Sequence, residues 1–188
     1  MEAPQVSRHQ KGAEIDGATI LFVDESGFYP LPFVTRTFAP RGQTPILRAP
    51  CTRDHLSAIS AVTEDGRLFF KVKNGAFNSD DMTVFLDHLQ RHMQGKLAVI
   101  WDGAPIHRSK RIRAYLAAGA ARRIRPERLP GYAPDLNPDE GVWSYLKRDM
   151  KNLVCHGLDE LRDEMRKAVM RLRMKPRVIQ GCFTHAGL

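Results

Sequence analysis

The chain has 188 residues, of which 43% are hydrophobic, and its 29 Lys and Arg outnumber its 21 Asp and Glu to give a net charge of +8. This length and composition suit one globular domain with a short appendage and exclude a disordered chain. No stretch approaches the roughly 18–20 apolar residues that a membrane span needs; Thr19–Val23 and Leu97–Trp101 are short islands.

Residues 1–16 are polar, lack the apolar centre of a signal peptide, and read as a tail or linker. Ala18–Ser26 is a β-rich apolar run, a strand buried on both faces. Tyr29–Pro50, with five prolines, reads as a short strand around Val34–Phe38 followed by a loop. Leu56–Thr63 and Leu68–Lys73 form two more strands, joined by the hairpin turn Glu-Asp-Gly-Arg. Asn78 or Ser79 then caps a helix with apolar positions Met82, Phe85, Leu86, Leu89 and Met93, which Gly95 ends. Leu97–Trp101 is a further buried strand, Arg108–Ala118 a basic helix and Arg123–Leu129 a weaker strand. A proline-rich loop leads into a helix from Pro138 to about Leu153, with Trp143 and Leu146 in the core. The last helix uses Leu158, Leu161, Met165, Val169 and Leu172, and residues 175–188 read as a C-terminal tail. The order of elements is that of an α/β layered domain, residues 17–174, with a mixed central sheet flanked by helices.

Cys51, Cys155 and Cys182 stand far apart without a Cys-x-x-Cys pair, which excludes a disulfide scaffold or zinc ribbon and favours a reducing cytoplasm. The basic residues cluster: eight between Arg108 and Arg128, ten more from Lys147 to Arg177. A whole chain leaning one way predicts a polyanionic partner, with DNA or RNA first among them.

Two buried-type strands end in carboxylates, Asp24 and Asp102, and a third acid, Glu140, opens a helix. Ligands bind outside the carboxyl ends of strands in open α/β sheets, so Asp24 and Asp102 can converge there. Hard oxygen donors suit Mg²⁺ or Mn²⁺, and two such ions serve phosphoryl transfer. Alternatives stay open at this level. Glu25 rivals Asp24, because adjacent strand residues point to opposite faces. Asn137-Pro138-Asp139-Glu140 also reads as N-cap, proline at N1 and a capping-box glutamate at N3. His88 and His92 stand four apart without the glutamate of a metalloprotease helix.

Three blocks carry a resemblance: Val23-Asp24-Glu25-Ser26-Gly27-Phe28, Ile100-Trp101-Asp102-Gly103-Ala104-Pro105-Ile106-His107-Arg108-Ser109, and the run from Leu129-Pro130-Gly131-Tyr132-Ala133-Pro134 through Asp135-Leu136-Asn137-Pro138-Asp139-Glu140 to Lys147. They resemble the catalytic region of DDE transposases, in the bacterial insertion-sequence branch of the Tc/mariner superfamily. The resemblance implies a ribonuclease-H-like fold and places the catalytic, metal-binding acids on Asp24, Asp102 and Glu140. It implies two Mg²⁺ or Mn²⁺ ions, DNA cleavage and strand transfer at transposon ends, target DNA with TA, and a homodimer in the active complex. DNA contacts are expected from His107, Arg108, Lys110, Arg111, Lys147 and Arg148, in a cytoplasmic, nucleoid-associated bacterial protein. Departures are the 37 residues between Asp102 and Glu140, the extra acids Asp135 and Asp139, and the lack of helix-turn-helix modules before the first strand. An upstream reading frame would supply those modules. The alternative is a decayed or domesticated protein of the same fold that binds DNA without cutting it.

Overall fold

The computed structural model describes residues 17–48, 54–130 and 134–188. The expected N-terminal tail, Cys51 and the Gly131–Ala133 part of the third block lie outside them.

Five strands form one sheet: β1 (Thr19–Phe28), β2 (Leu56–Val62), β3 (Leu68–Asn74), β4 (Leu97–Trp101) and β5 (Ile124–Arg128), in the order β3-β2-β1-β4-β5. β1, β2 and β3 pair antiparallel, whereas β4 and β5 run parallel to β1. The hairpin between β2 and β3 turns at Gly66, whose φ of +87° favours glycine. A side chain there would also meet Pro176 at 2.7 Å.

Helices α1 (Ser79–His92) and α2 (Lys110–Ala117) cover one face; α3 (Pro138–Asp149), α4 (Leu158–Arg173) and α5 (Pro176–His185) cover the other. Period-2 alternation divides β1 between two cores. Leu21 and Val23 join Met82, Phe85 and Ile112 beneath α1 and α2, while Phe22 joins Trp143, Leu172 and Phe183 beneath α3–α5.

The helix starts follow local chemistry. Asn78 caps α1 by accepting from the Asp80 and Asp81 amides, and Asp81 returns a bond to the Asn78 amide. Arg123, at the foot of β5, donates to the carbonyls of Gln90, Met93 and Gly95 and so satisfies the end of α1. Ser109 caps α2 through Ile112 N–H, which separates α2 from the 3₁₀ turn Pro105–Arg108.

Three expectations need correction. No strand forms over Val34–Phe38; Phe33 makes a single bridge to Lys151, and the Thr35 amide goes to the side chain of Asn152. Prolines 30, 32 and 40 bracket that stretch and cannot donate to a ladder. The helix expected to run to Leu153 ends at Asp149. The C-terminal stretch is no tail: Pro176 starts α5, whose Ile179 and Phe183, four apart, are buried on one face. Phe183 meets Phe22 edge-on at 5.5 Å between ring centroids. No helix among the described residues is long and apolar enough to cross a membrane.

Candidate active site

Alternation on β1 sends Asp24 toward α3 and Glu25 toward α1 and α2. One carboxylate oxygen of Asp24 accepts from the Glu25 amide at 2.9 Å. The other accepts from Asn137 Nδ2 at 3.1 Å and from the Trp143 indole N–H at 3.2 Å. Glu140 and Trp143 are three apart on α3, so a helix face that brings the indole to Asp24 brings Glu140 as well. Burial, then the charge of Glu140, push the Asp24 carboxyl up to about 7. Three donors therefore offset only part of what burial and Glu140 impose on the Asp24 carboxylate.

Of the two readings of Glu140, the cap falls to Asn137 alone. Its side chain accepts from the Asp139 amide at 3.1 Å. The Glu140 side chain is exposed and forms no hydrogen bond among the described residues. It lines a cleft of about 370 Å³ together with Asp135, Asn137, Cys182 and His185. One wall of that cleft is thus α5.

Asp139 faces inward and is fully buried. Ser60 Oγ donates to its Oδ1 at 2.7 Å, whereas Oδ2 has no partner among the described residues. Ser60 lies opposite Asp24 in the β1–β2 register, which sets Asp139 behind the same site. Burial above all, with the charges of Asp24, Glu140 and Glu25, raises Asp139 well above the carboxylate range.

Asp102 follows β4 directly. The parallel register pairs Phe22 with Ile100, and its continuation by two residues sets Asp24 abreast of Asp102. Neighbouring strands lie about 4.8 Å apart, so the two backbones are within reach of one ligand. The Asp102 side chain is 57% exposed. Its Oδ1 accepts from the Ala104 amide at 2.8 Å and stands 3.1 Å from His107 Nε2. Gly103 leaves room beside it for the Arg128 guanidinium, which a Cβ there would overlap.

The expected DNA contacts are dispersed. His107, expected among the DNA contacts, is buried, with its side chain 3% exposed and its ring stacked on Trp101. Arg108 and Lys110 are exposed, and Arg111 pairs with Asp80 at 2.5 Å. Lys147 and Arg148 sit two turns along α3 from Glu140, the one 5.8 Å from the Phe28 ring and the other 5.5 Å from Tyr145. Trp143, read from the sequence as core, is also a holder of Asp24. Asn137 was legible as a cap but not in that second task. The His88 and His92 rings lie 4.1 Å apart between centroids, tilted by 44°.

Among the described residues, no three His, Cys, Asp or Glu side chains are arranged to hold a metal ion. The donor chemistry nonetheless fits one. Asp24 and Glu140 are oxygen donors that repel each other in a partly desolvated site, a set that hard Mg²⁺ or Mn²⁺ neutralises.

Comparison with known structures places the fold. A pre-cleavage Mos1 transpososome matches with a TM-score of 0.65 at 16% identity, over 97% of this chain and 59% of that one. The catalytic domain of Mos1 mariner transposase matches with a TM-score of 0.57 at 16% identity, over 97% of this chain and 88% of that one. The same Mos1 domain with Raltegravir and Mg matches with a TM-score of 0.54 at 16% identity, over 100% and 98%. This chain spans about three fifths of the longer Mos1 chains it matches. The mixed sheet with helices on both faces is therefore ribonuclease-H-like. No curated protein sequence matches closely. The DDE superfamily endonuclease family matches residues 19–162, most of the chain and all three acids, and the protein belongs to that family.

Proposed function

We propose that the chain is the catalytic domain of a DDE transposase, which cleaves DNA at transposon ends and transfers the freed strand to target DNA. The observation that carries this reading is Asp24: desolvated, crowded by Glu140, and gripped by Asn137 and Trp143 of the helix that bears Glu140. Asp24, Asp102 and Glu140 would hold the ions. When bound, a pair of Mg²⁺ or Mn²⁺ ions supplies counter-charge to the attacking and leaving oxygens of an in-line phosphoryl transfer. The chain itself orients the ligands. Asn137 and Trp143 turn Asp24, the N-terminal turn of α3 presents Glu140, and the Ala104 amide restrains Asp102.

Arg108, Lys110, Arg111, Lys147 and Arg148 would bind phosphates without reading sequence, each contact adding about −0.9 to the slope of log K against log salt. End recognition would come from helix-turn-helix modules encoded upstream, and the active complex would be a homodimer acting on target DNA with TA. The protein would work in the bacterial cytoplasm on the nucleoid. The test is cleavage of a transposon-end duplex by the chain together with those modules, with Mg²⁺ or Mn²⁺. Wild-type cleavage lost in Asp24→Asn, Asp102→Asn and Glu140→Gln, with folding intact, supports the reading. An inactive wild type that still binds DNA returns it to a non-catalytic DNA-binding protein.

A further inference from the structure

His107 is buried, and the reaction proposed above gives it no task. It sits on the 3₁₀ turn Pro105–Arg108, with its ring nearly parallel to Trp101 at 4.7 Å and 12°. Its Nε2 lies 3.1 Å from Asp102 Oδ1 and 3.5 Å from Glu25 Oε2, so two carboxylates from two strands bracket one imidazole edge. Neither approach has hydrogen-bond alignment: both ring nitrogens, and Glu25 Oε1, are buried without such a partner among the described residues. Burying polar groups so poorly matched opposes stability, which points to a use outside packing.

Asp102 is where such a use arises. It lies one residue beyond β4, where the sheet no longer orients it, and its side chain is the more exposed of the two strand-end acids. Asp24 receives three donors from two elements. Asp102 receives one, from Ala104, two residues along its own turn. The stacked imidazole is the rigid group next to it. The stack fixes the ring plane and leaves its Nε2 edge facing Asp102 Oδ1 and Glu25 Oε2.

We propose that His107 is the positioning residue of Asp102. In the tautomer with its proton on Nε2, it donates to Oδ1 and leaves Oδ2 turned toward the metal, while Glu25 buttresses the ring from β1. The proposal rests on the reading of Asp102 as a metal ligand, and it concerns the holding of that ligand rather than any contact of His107 with DNA or ion.

The test is Mn²⁺ affinity of the full 188-residue chain with a DNA duplex present, read from the electron paramagnetic resonance of free Mn²⁺, alongside the melting temperature without metal. His107→Phe keeps a ring over Trp101 and removes both nitrogens. It is expected to weaken Mn²⁺ binding 10–100-fold, the usual cost of losing a group that orients a ligand, with little change in melting temperature. His107→Gln, which restores an N–H near the Nε2 position, recovers part of the loss. In an Asp102→Asn background, His107→Phe costs nothing further, because the two act as one unit.

His107→Phe binding Mn²⁺ like wild type, while Asp102→Asn weakens binding, overturns the proposal and leaves Asp102 a ligand. Asp102→Asn binding Mn²⁺ like wild type, or a wild type that binds none, overturns the ligand reading and the proposal with it. A lowered melting temperature with no recovery in His107→Gln overturns it in favour of plain packing.

Discussion

Asp24 and Glu25 are adjacent in sequence and face opposite sides of one strand, and the two sides are built differently. On the α3 side, Asp24 is ringed by donors and by acids: Asn137, Trp143, Glu140 and the buried Asp139. On the α1–α2 side, Glu25 meets one imidazole, itself stacked on an indole. The first arrangement concentrates negative charge that protonation or a metal cation relieves. The second sets one imidazole between two carboxylates, Glu25 and Asp102. The sheet thus sets the crowded acids around Asp24 on one face and the imidazole that aims Asp102 on the other.

The largest effect should mark that division in activity. Glu140→Gln removes a charge from the crowded side and is expected to cut metal-dependent DNA cleavage by about two orders of magnitude or more. Its melting temperature should stay level or rise. Glu25→Gln, on the other side, should cost about tenfold or less. Equal losses in a cleavage assay would erase the distinction.

Stability against pH comes next. The native Asp24 carboxyl, at about 7, holds its proton over a range where an ordinary carboxyl at 3.8 has lost it. Between those values the native chain binds more protons than the unfolded one, so stability falls as pH rises and is lowest above about 7. The drop reaches up to about 4 kcal/mol at 1.36 kcal/mol per unit. Asp24→Asn should match wild type near pH 4, exceed it at pH 8 in urea unfolding, and lose its advantage once Mg²⁺ is added to wild type. Asp139→Asn should shift stability in the same direction.

Ser60→Ala removes the one hydrogen bond to the Asp139 carboxyl among the described residues and leaves it unmatched, at an expected cost of about 1–3 kcal/mol by denaturant titration. Smallest is Arg111→Ala. Its ion pair with Asp80 is exposed on both sides, so stability should change by about 0.2–1 kcal/mol at most. If Arg111 touches a phosphate, the salt slope of DNA binding becomes shallower by about 0.9. An unchanged slope confines the residue to the ion pair.

Much of this was legible in the chain. Apolar runs of five to eight residues ending in an acid located β1 and β4, and the spacing of Met82, Phe85 and Leu89 located α1. The choice between Asp24 and Glu25 was not legible from periodicity, because a strand buried on both faces has no polar side to orient it. α5 escaped because it is short and rests on two apolar anchors, Ile179 and Phe183. Asp139 and His107 escaped for a shared reason. Acids and histidines are usually at least partly wet, and no local pattern announces that a neighbouring Ser60 or Trp101 will shelter one.

The first turns of α3 carry Asn137, Glu140 and Trp143 together. One proposed ligand and two of the grips on another therefore ride on the same rod. A rigid-body slide of α3 by one ångström would misplace all three at once rather than degrade them in turn. Anything that shifts its neighbours α4 and α5, such as a DNA end wedged against them, would act on the site as a throw-switch, not a dimmer. At Gly141 the Cys182 sulfur of α5 comes so near α3 that a Cβ would meet it at 2.8 Å.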